Sequence, residues 1–167
     1  MGLKFRVVPS DAVEVRHEQL TARELCQLNA YRKARAVAKK IPDALVIAAD
    51  TLVYLDNVIF GKPASLAEAR RIIERLQGRT HRVATGVCLI HLRKFRQRIF
   101  AETTAVTFKP LTFDQAAAYV TAINPLDKAG AYAIQEKGDF IIEQVSGSFT
   151  NVVGLPVERL QNELQSW

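Results

Sequence analysis

Six consecutive apolar residues, Ala44-Leu45-Val46-Ile47-Ala48-Ala49, run directly into the acid Asp50. The run is far shorter than the roughly 18–20 apolar residues of a membrane span. Pro42-Asp43 bounds it on one side and Asp50-Thr51 on the other. It predicts a strand buried on both faces, as at the centre of an α/β sheet. The strand is expected to stop at Asp50-Thr51, leaving a carboxylate at its mouth. Ligands of α/β sheets bind outside the carboxyl ends of the strands. Asp50 is therefore a candidate for chemistry; the alternative is an Asp that caps a turn through its own backbone.

The remaining pattern alternates strands and helices. Residues 5–8 predict a short strand. Thr21-Ala22-Arg23-Glu24, Ser65-Leu66-Ala67-Glu68 and Thr112-Phe113-Asp114-Gln115 read as capping boxes opening three helices. Leu28, Tyr31, Ala34, Ala38 and Ile41 form the expected inner face of the first. Leu66, Ala69, Ile72, Ile73 and Leu76 form that of the second, which Gly78 stops. Residues 52–60 read as a hairpin turning at Asp56-Asn57. Residues 81–92 and 99–108 read as long strands joined by a basic tip. Short strands are expected at residues 131–134 and 140–145, and a last helix follows Pro156 with Val157, Leu160 and Leu164 inward. The sum is an α/β fold with a mixed sheet.

The 167 residues suit a single domain, with no repeat, linker or low-complexity tract. Neither a signal peptide nor a myristoylation signal opens the chain, so the expected compartment is the cytoplasm. Cys26 and Cys88 suggest no disulfide framework. His17, His81 and His91 lack metal-ligand spacing. The net charge of +6 favours anionic partners. Much of it lies in Arg93-Lys94-Phe95-Arg96-Gln97-Arg98 and in residues 32–40, read either as solvated faces or as a field that attracts polyphosphate. No nucleic-acid-binding motif accompanies it. Neither a P-loop nor a dinucleotide fingerprint occurs.

Two further segments combine charge with tight turns. Asn124-Pro125-Leu126-Asp127-Lys128-Ala129-Gly130-Ala131-Tyr132 carries an acid and a base among small residues. Small residues let backbone N–H groups approach a ligand, and Lys128 can meet phosphate as a point charge. The alternative is an internal Asp127–Lys128 contact. In Phe60-Gly61-Lys62-Pro63, Lys62 is held between a turn and a fixed φ. The hydroxyls of Ser146-Gly147-Ser148-Phe149-Thr150-Asn151 read as a tight loop that serves either phosphate or backbone.

Taken in order, Ala48-Ala49-Asp50-Thr51, Gly61-Lys62-Pro63, Leu76-Gln77-Gly78 with His81 and Thr85-Gly86-Val87, Asp127-Lys128-Ala129-Gly130-Ala131-Tyr132 through Gln135, and Asn151-Val152-Val153-Gly154-Leu155-Pro156 resemble the Maf family of nucleotide pyrophosphatases. The resemblance covers nearly the whole chain. It implies an elongated α/β fold shared with inosine triphosphate pyrophosphatases, with a mixed sheet flanked by helices, and a homodimer. It implies a nucleotide diphosphatase that hydrolyses a nucleoside triphosphate to monophosphate and pyrophosphate. The segment through Gln135 looks like the subgroup acting on dTTP and UTP. By this resemblance Asp50 is the proton acceptor, Thr51 and Gln135 select the base, and Lys33, Lys62 and Lys128 lie near the phosphates. Asp127 belongs to the substrate-binding segment, and Glu14 lies near a family carboxylate. Asp50 would accept a proton from the water attacking the α-phosphorus, with Mg²⁺ or Mn²⁺ bridging phosphate oxygens.

Departures from the pattern are part of the expectation. Ala49 stands where the family often has glycine, and Ala133 and Glu136 replace glycines around Ile134-Gln135. The family's opening Ser-x-Ser-Pro-Arg-Arg segment has no counterpart before Gly2-Leu3-Lys4-Phe5, which predicts an N-terminally truncated domain and an internal origin for Met1. Losing those arginines suggests a second reading, a nucleotide-binding or interaction protein without turnover. A third is nucleic-acid binding through the basic tip.

Overall fold

The computed structural model describes Gly2, residues 4–15 and residues 19–167. Helix α1 (Ala22–Lys40) opens on a complete capping box. Thr21 accepts from the Glu24 amide, and the Glu24 carboxylate accepts from that of Thr21. Helices α2 (Leu66–Leu76) and α3 (Phe113–Ala122) follow the same logic. At α2 the box is displaced: Ser65 accepts from the Glu68 amide, but the Glu68 carboxylate reaches the amide of Ala64. Short helices α4 (Gly138–Ile141) and α5 (Phe149–Val153) precede and follow the last strand, and α6 (Val157–Gln165) closes the chain.

Five strands form one sheet, β1 (Val46–Leu55), β2 (Val58–Phe60), β3 (Thr80–His91), β4 (Arg96–Phe108) and β5 (Ile142–Ser146), in the order β2-β1-β3-β4-β5. The expected α/β class with helices flanking a sheet holds, and every pairing among the described residues is antiparallel. The Asp56-Asn57 hairpin forms as expected, with Asp56 at φ 54°.

Several local expectations are corrected. The apolar run does not stop at Asp50. Strand β1 continues to Leu55, with Asp50 opposite Gly86 and Thr51 opposite Thr85. The run is not buried on both faces either, because Leu45 and Ile47 remain about a third exposed. Residues 5–8 make no ladder, and Phe5 and Val7 are exposed. Residues 131–134 form no strand: Gly130 and Ala131 both take left-handed conformations, at φ 71° and 62°, which a ladder excludes. Residues 140–141 complete α4, and the strand begins only at Ile142. The loop expected at Ser146–Asn151 winds into α5 instead, with Ser148 capping it. His17 lies outside the described residues.

Helix α1 covers one face of β1 and β3, and the two surfaces touch backbone to backbone at Gly86. A Cβ there would lie 2.4 Å from the Cys26 carbonyl group of α1. This close approach turns the helix so that Leu25, Cys26, Asn29, Ala30, Ala34, Val37 and Ala38 are buried, while Leu28, Tyr31 and Ile41 are only half-buried. On the other face, α2 and α3 enclose the main core around Ile73, Leu76, Phe108 and Tyr119. A smaller cluster places Leu160 of α6 against Val87, Leu89 and Phe100; Val157 and Leu164 are half-buried.

Candidate active site

Strand β2 pairs only with residues 53–55 of β1. Among the described residues, the earlier part of β1, including Asp50 and Thr51, is paired on the β3 side alone. A cleft of about 1020 Å³ lies here, and it reaches both faces of the strand around its open flank. Adjacent strand residues point to opposite faces, yet Asp50 and Thr51 both line it. The cleft thus places Asp50 at mid-strand rather than at a strand end, and the turn-capping alternative does not apply.

Asp50 points to the α1 face, where it is 6% exposed. Its Oδ1 accepts from Lys33 Nζ at 2.6 Å, and its Oδ2 from Asn29 Nδ2 at 3.3 Å. The same Lys33 ammonium meets Glu14 Oε1 at 2.7 Å. Asn29 and Lys33 stand one helical turn apart, so both reach the same carboxylate. Burial pushes the Asp50 carboxyl up from its ordinary range, and the nearby Glu14 charge adds to that; Lys33 and Asn29 offset part of the rise. Burial pushes the Lys33 ammonium down, but the hydrogen bonds and charges of Asp50 and Glu14 outweigh it and hold its pKa above the ordinary value. The hydrogen bond from Lys33 keeps Glu14 low. The result is a buried carboxylate beside a firmly charged lysine.

Thr51 turns the other way, sharing a 2.9 Å hydrogen bond with Thr85 Oγ1. Thr85 also donates to the Asn151 carbonyl at 3.0 Å. The hydroxyl-rich segment around Ser148 serves backbone and Glu158 rather than an open phosphate site.

The opposite wall is the segment from Asp127 to Glu136. The Gly130 amide donates to the Gly61 carbonyl at 3.1 Å, joining this wall to the loop that carries Lys62. A side chain at Gly130 would collide with Val53 at 2.9 Å, so glycine is needed there for space as well as for its positive φ. Lys128 Nζ lies 2.9 Å from Asp127 Oδ1 and 3.2 Å from Glu136 Oε1. The internal contact expected as an alternative is therefore real, and Glu136 joins it. Tyr132 anchors the wall from behind: its hydroxyl meets His81 Nε2 at 2.9 Å, and both rings pack edge-on with Phe108.

All eight residues singled out in the sequence, Glu14, Lys33, Asp50, Thr51, Lys62, Asp127, Lys128 and Gln135, line this one cleft. Sequence reasoning missed Asn29 and Glu68, which also line it. A polar residue one turn before Lys33, on a helix face otherwise apolar, was the available signal for Asn29.

The family model for Maf-like protein matches residues 1–167. The chain belongs to the Maf family. Among curated relatives, a dTTP/UTP pyrophosphatase of Acetivibrio thermocellus is 44% identical, the match covering 100% of this chain and 86% of the relative. Proteins of the same description from Moorella thermoacetica and Carboxydothermus hydrogenoformans are 43% and 41% identical. Each match covers 98% of this chain, with 84% and 88% of the respective relative. Among the described residues, no helix of this Maf chain is long and apolar enough to cross a membrane. The basic tip is largely tied down: Arg93 pairs with Asp43 and Arg98 with Glu163, and Arg96 lies over Trp167. That arrangement favours the solvated-tip reading over nucleic-acid binding.

Proposed function

We propose that this Maf chain hydrolyses dTTP and UTP to the monophosphate and pyrophosphate. The observation that carries the reading is the buried Asp50 carboxylate, held by Lys33 on the floor of a cleft that Lys62 and Lys128 also line. The names of the relatives supply the substrate class. In this reading a water beside Asp50 attacks the α-phosphorus, and its proton passes to the carboxylate. The bond from the α-phosphorus to the bridging oxygen breaks, and pyrophosphate departs with the electron pair. Burial makes Asp50 a stronger base than an exposed carboxylate. Lys62 and Lys128 sit where they can meet the departing phosphates. Thr51 and Gln135 contact the base, and Asp127 steadies Lys128.

The charge inventory argues for a divalent cation. Three lysines line the cleft against five carboxylates, Glu14, Asp50, Glu68, Asp127 and Glu136, so the lysines alone leave a polyanion poorly neutralised. Among the described residues no three His, Cys, Asp or Glu side chains converge on one point. Mg²⁺, however, commonly needs only one or two protein carboxylates beside phosphate oxygens. Glu14 and Asp50 are the carboxylates that would hold it, and the Lys33 ammonium that now bridges them would then give up contacts to them and turn to the phosphates. Mg²⁺ or Mn²⁺ held there would neutralise phosphoryl oxygens.

The test is pyrophosphate release from dTTP, UTP and a purine panel. Asp50→Asn keeps the shape but not the basicity, and is expected to lower kcat by about 10²–10⁴-fold. Nucleotide binding without any turnover in the unsubstituted chain would replace this reading with that of a binding protein.

A further inference from the structure

Beside Lys33, which bridges Asp50 and Glu14 by charge, Asn29 joins Asp50 to the backbone of the segment that carries Glu14. It is 3% exposed, in a helix whose other buried residues are apolar. Its Oδ1 accepts from the Val15 amide at 2.8 Å, and its Nδ2 donates to the Val15 carbonyl at 3.2 Å. The pair grips one residue's backbone from both ends, as a neighbouring strand would. The same Nδ2 reaches Asp50 Oδ2. A buried amide that satisfies a carboxylate and a peptide at once is costly to place and costly to remove.

The segment has few other holds. Among the described residues, no backbone–backbone hydrogen bond fixes residues 4–15. Asp11 pairs with Lys40 at the surface, and Val8 packs against the outer end of α1. Both anchors lie several residues before Glu14, and Glu14 is itself 59% exposed at its side chain. Its ion pair with Lys33 can define its position only if the backbone beside it is fixed. The Val15 grip supplies that fixation one residue away.

We infer that Asn29 is a positioning residue: by clamping Val15 it presets Glu14 against Lys33 and Asp50, so that the three act as one unit before substrate arrives. The inference rests on the pyrophosphatase reading for its consequence, though not for its geometry. Asn29 touches neither water nor phosphate in this scheme; it acts through Glu14 and Asp50.

Two variants approach the link from opposite ends. Asn29→Leu removes the clamp and the bond to Asp50 while filling similar space. Val15→Pro removes the gripped N–H at a half-buried position outside any helix or strand, also fixes the local backbone and restricts Glu14, and leaves Asn29 and Asp50 in contact. Both are expected to lower kcat for dTTP about 10–100-fold, as outer supports of a site do, with KM little changed. Val15→Pro leaves the buried Asn29 Oδ1 without its donor and is expected to unfold at a somewhat lower temperature, so its kcat is compared where both proteins are fully folded. In the free protein, Asn29→Leu should also speed hydrogen exchange at the Val15 amide by at least tenfold. Wild-type turnover by Val15→Pro, or unchanged Val15 exchange in Asn29→Leu, would overturn the inference. If the unsubstituted chain fails to hydrolyse either pyrimidine triphosphate, the functional reading falls instead, and the exchange experiment still decides whether the clamp exists.

Discussion

Lys128 shows how far a single residue's neighbours can set what it offers a ligand. Its ammonium is held between Asp127 and Glu136. The hydrogen bond to Asp127 does most to keep its pKa above the ordinary value, and Glu136 adds to it. A phosphate arriving at Lys128 must share the ammonium with both carboxylates. Glu136→Gln keeps the side-chain length and removes one competing charge. It is expected to lower KM for dTTP about twofold to fivefold, the scale of a partly exposed ion pair, with kcat nearly unchanged. Steady-state kinetics at fixed ionic strength decide it; a rise in KM would mean that Glu136 itself contacts the nucleotide. At this scale the sequence was informative where a residue broke a pattern. Asp50 ended an apolar run, and Lys62 and Lys128 stood among turn residues. Glu136 stood out as a charge in place of a small residue, but its partner lay eight positions away and only the fold identifies it. Asn29 also broke an apolar face, but its role was not legible, because helical periodicity assigns positions to a face without saying what waits opposite.

Helices were the legible elements, because their ends are written locally. Thr21 with Glu24 and Thr112 with Gln115 close their boxes as the spacing implies. The β3–β4 hairpin was equally plain. Strand ends were not. An apolar run followed by an acid looks like a terminus, yet ladder bonds do not depend on side-chain polarity, so β1 continues through Asp50 while its hydrogen bonds to β3 persist. The rotation of α1 was likewise out of reach, since Gly86 dictates it from 60 positions away. That contact yields an element-scale prediction. Gly86→Ala would drive a methyl group into the backbone of Cys26 and Gln27, at 2.4 and 2.5 Å. Backbone cannot swing aside as a side chain can, so α1 must lift from the sheet. The cost is expected to be about 1–3 kcal/mol, the usual range for overpacking, measured by urea unfolding. Lifting α1 also withdraws Lys33 and Asn29 from Asp50, so turnover should fall in whatever fraction stays folded. A folded variant of unchanged kcat would show that the approach of helix to sheet does not set the site's geometry.

At the scale of the whole molecule, the residue that couples the sheet, the core and the cleft wall is His81. It lies on β3 at 1% exposure, between Phe108 of β4 and Tyr132 behind the Asp127–Glu136 wall. Burial pushes its pKa down from 6.5 to about 4, so the folded protein holds the ring neutral. The unfolded chain binds a proton near pH 6.5, which the folded state declines until about pH 4. Between those values the unfolded state carries more protons, and stability falls as pH falls. At about 1.4 kcal/mol per unit, the gap is worth about 3 kcal/mol, a large share of the 5–15 kcal/mol typical of a folded domain. Asp50 acts with the opposite sign: its carboxyl is raised in the fold, so protonation there favours the folded state as pH drops. Urea midpoints measured from pH 7 to pH 4 should therefore decline, and His81→Gln should flatten that decline while lowering stability at pH 7. Asp50→Asn should leave the decline in place or steepen it. Parallel curves for the unsubstituted chain and His81→Gln would move the acid sensitivity elsewhere. Because Tyr132 leans on His81 and the folded ring stays neutral down to about pH 4, the cleft wall should keep its shape while global stability falls, and binding of dTTP by the folded protein should weaken through this ring only near pH 4, where it takes up its proton.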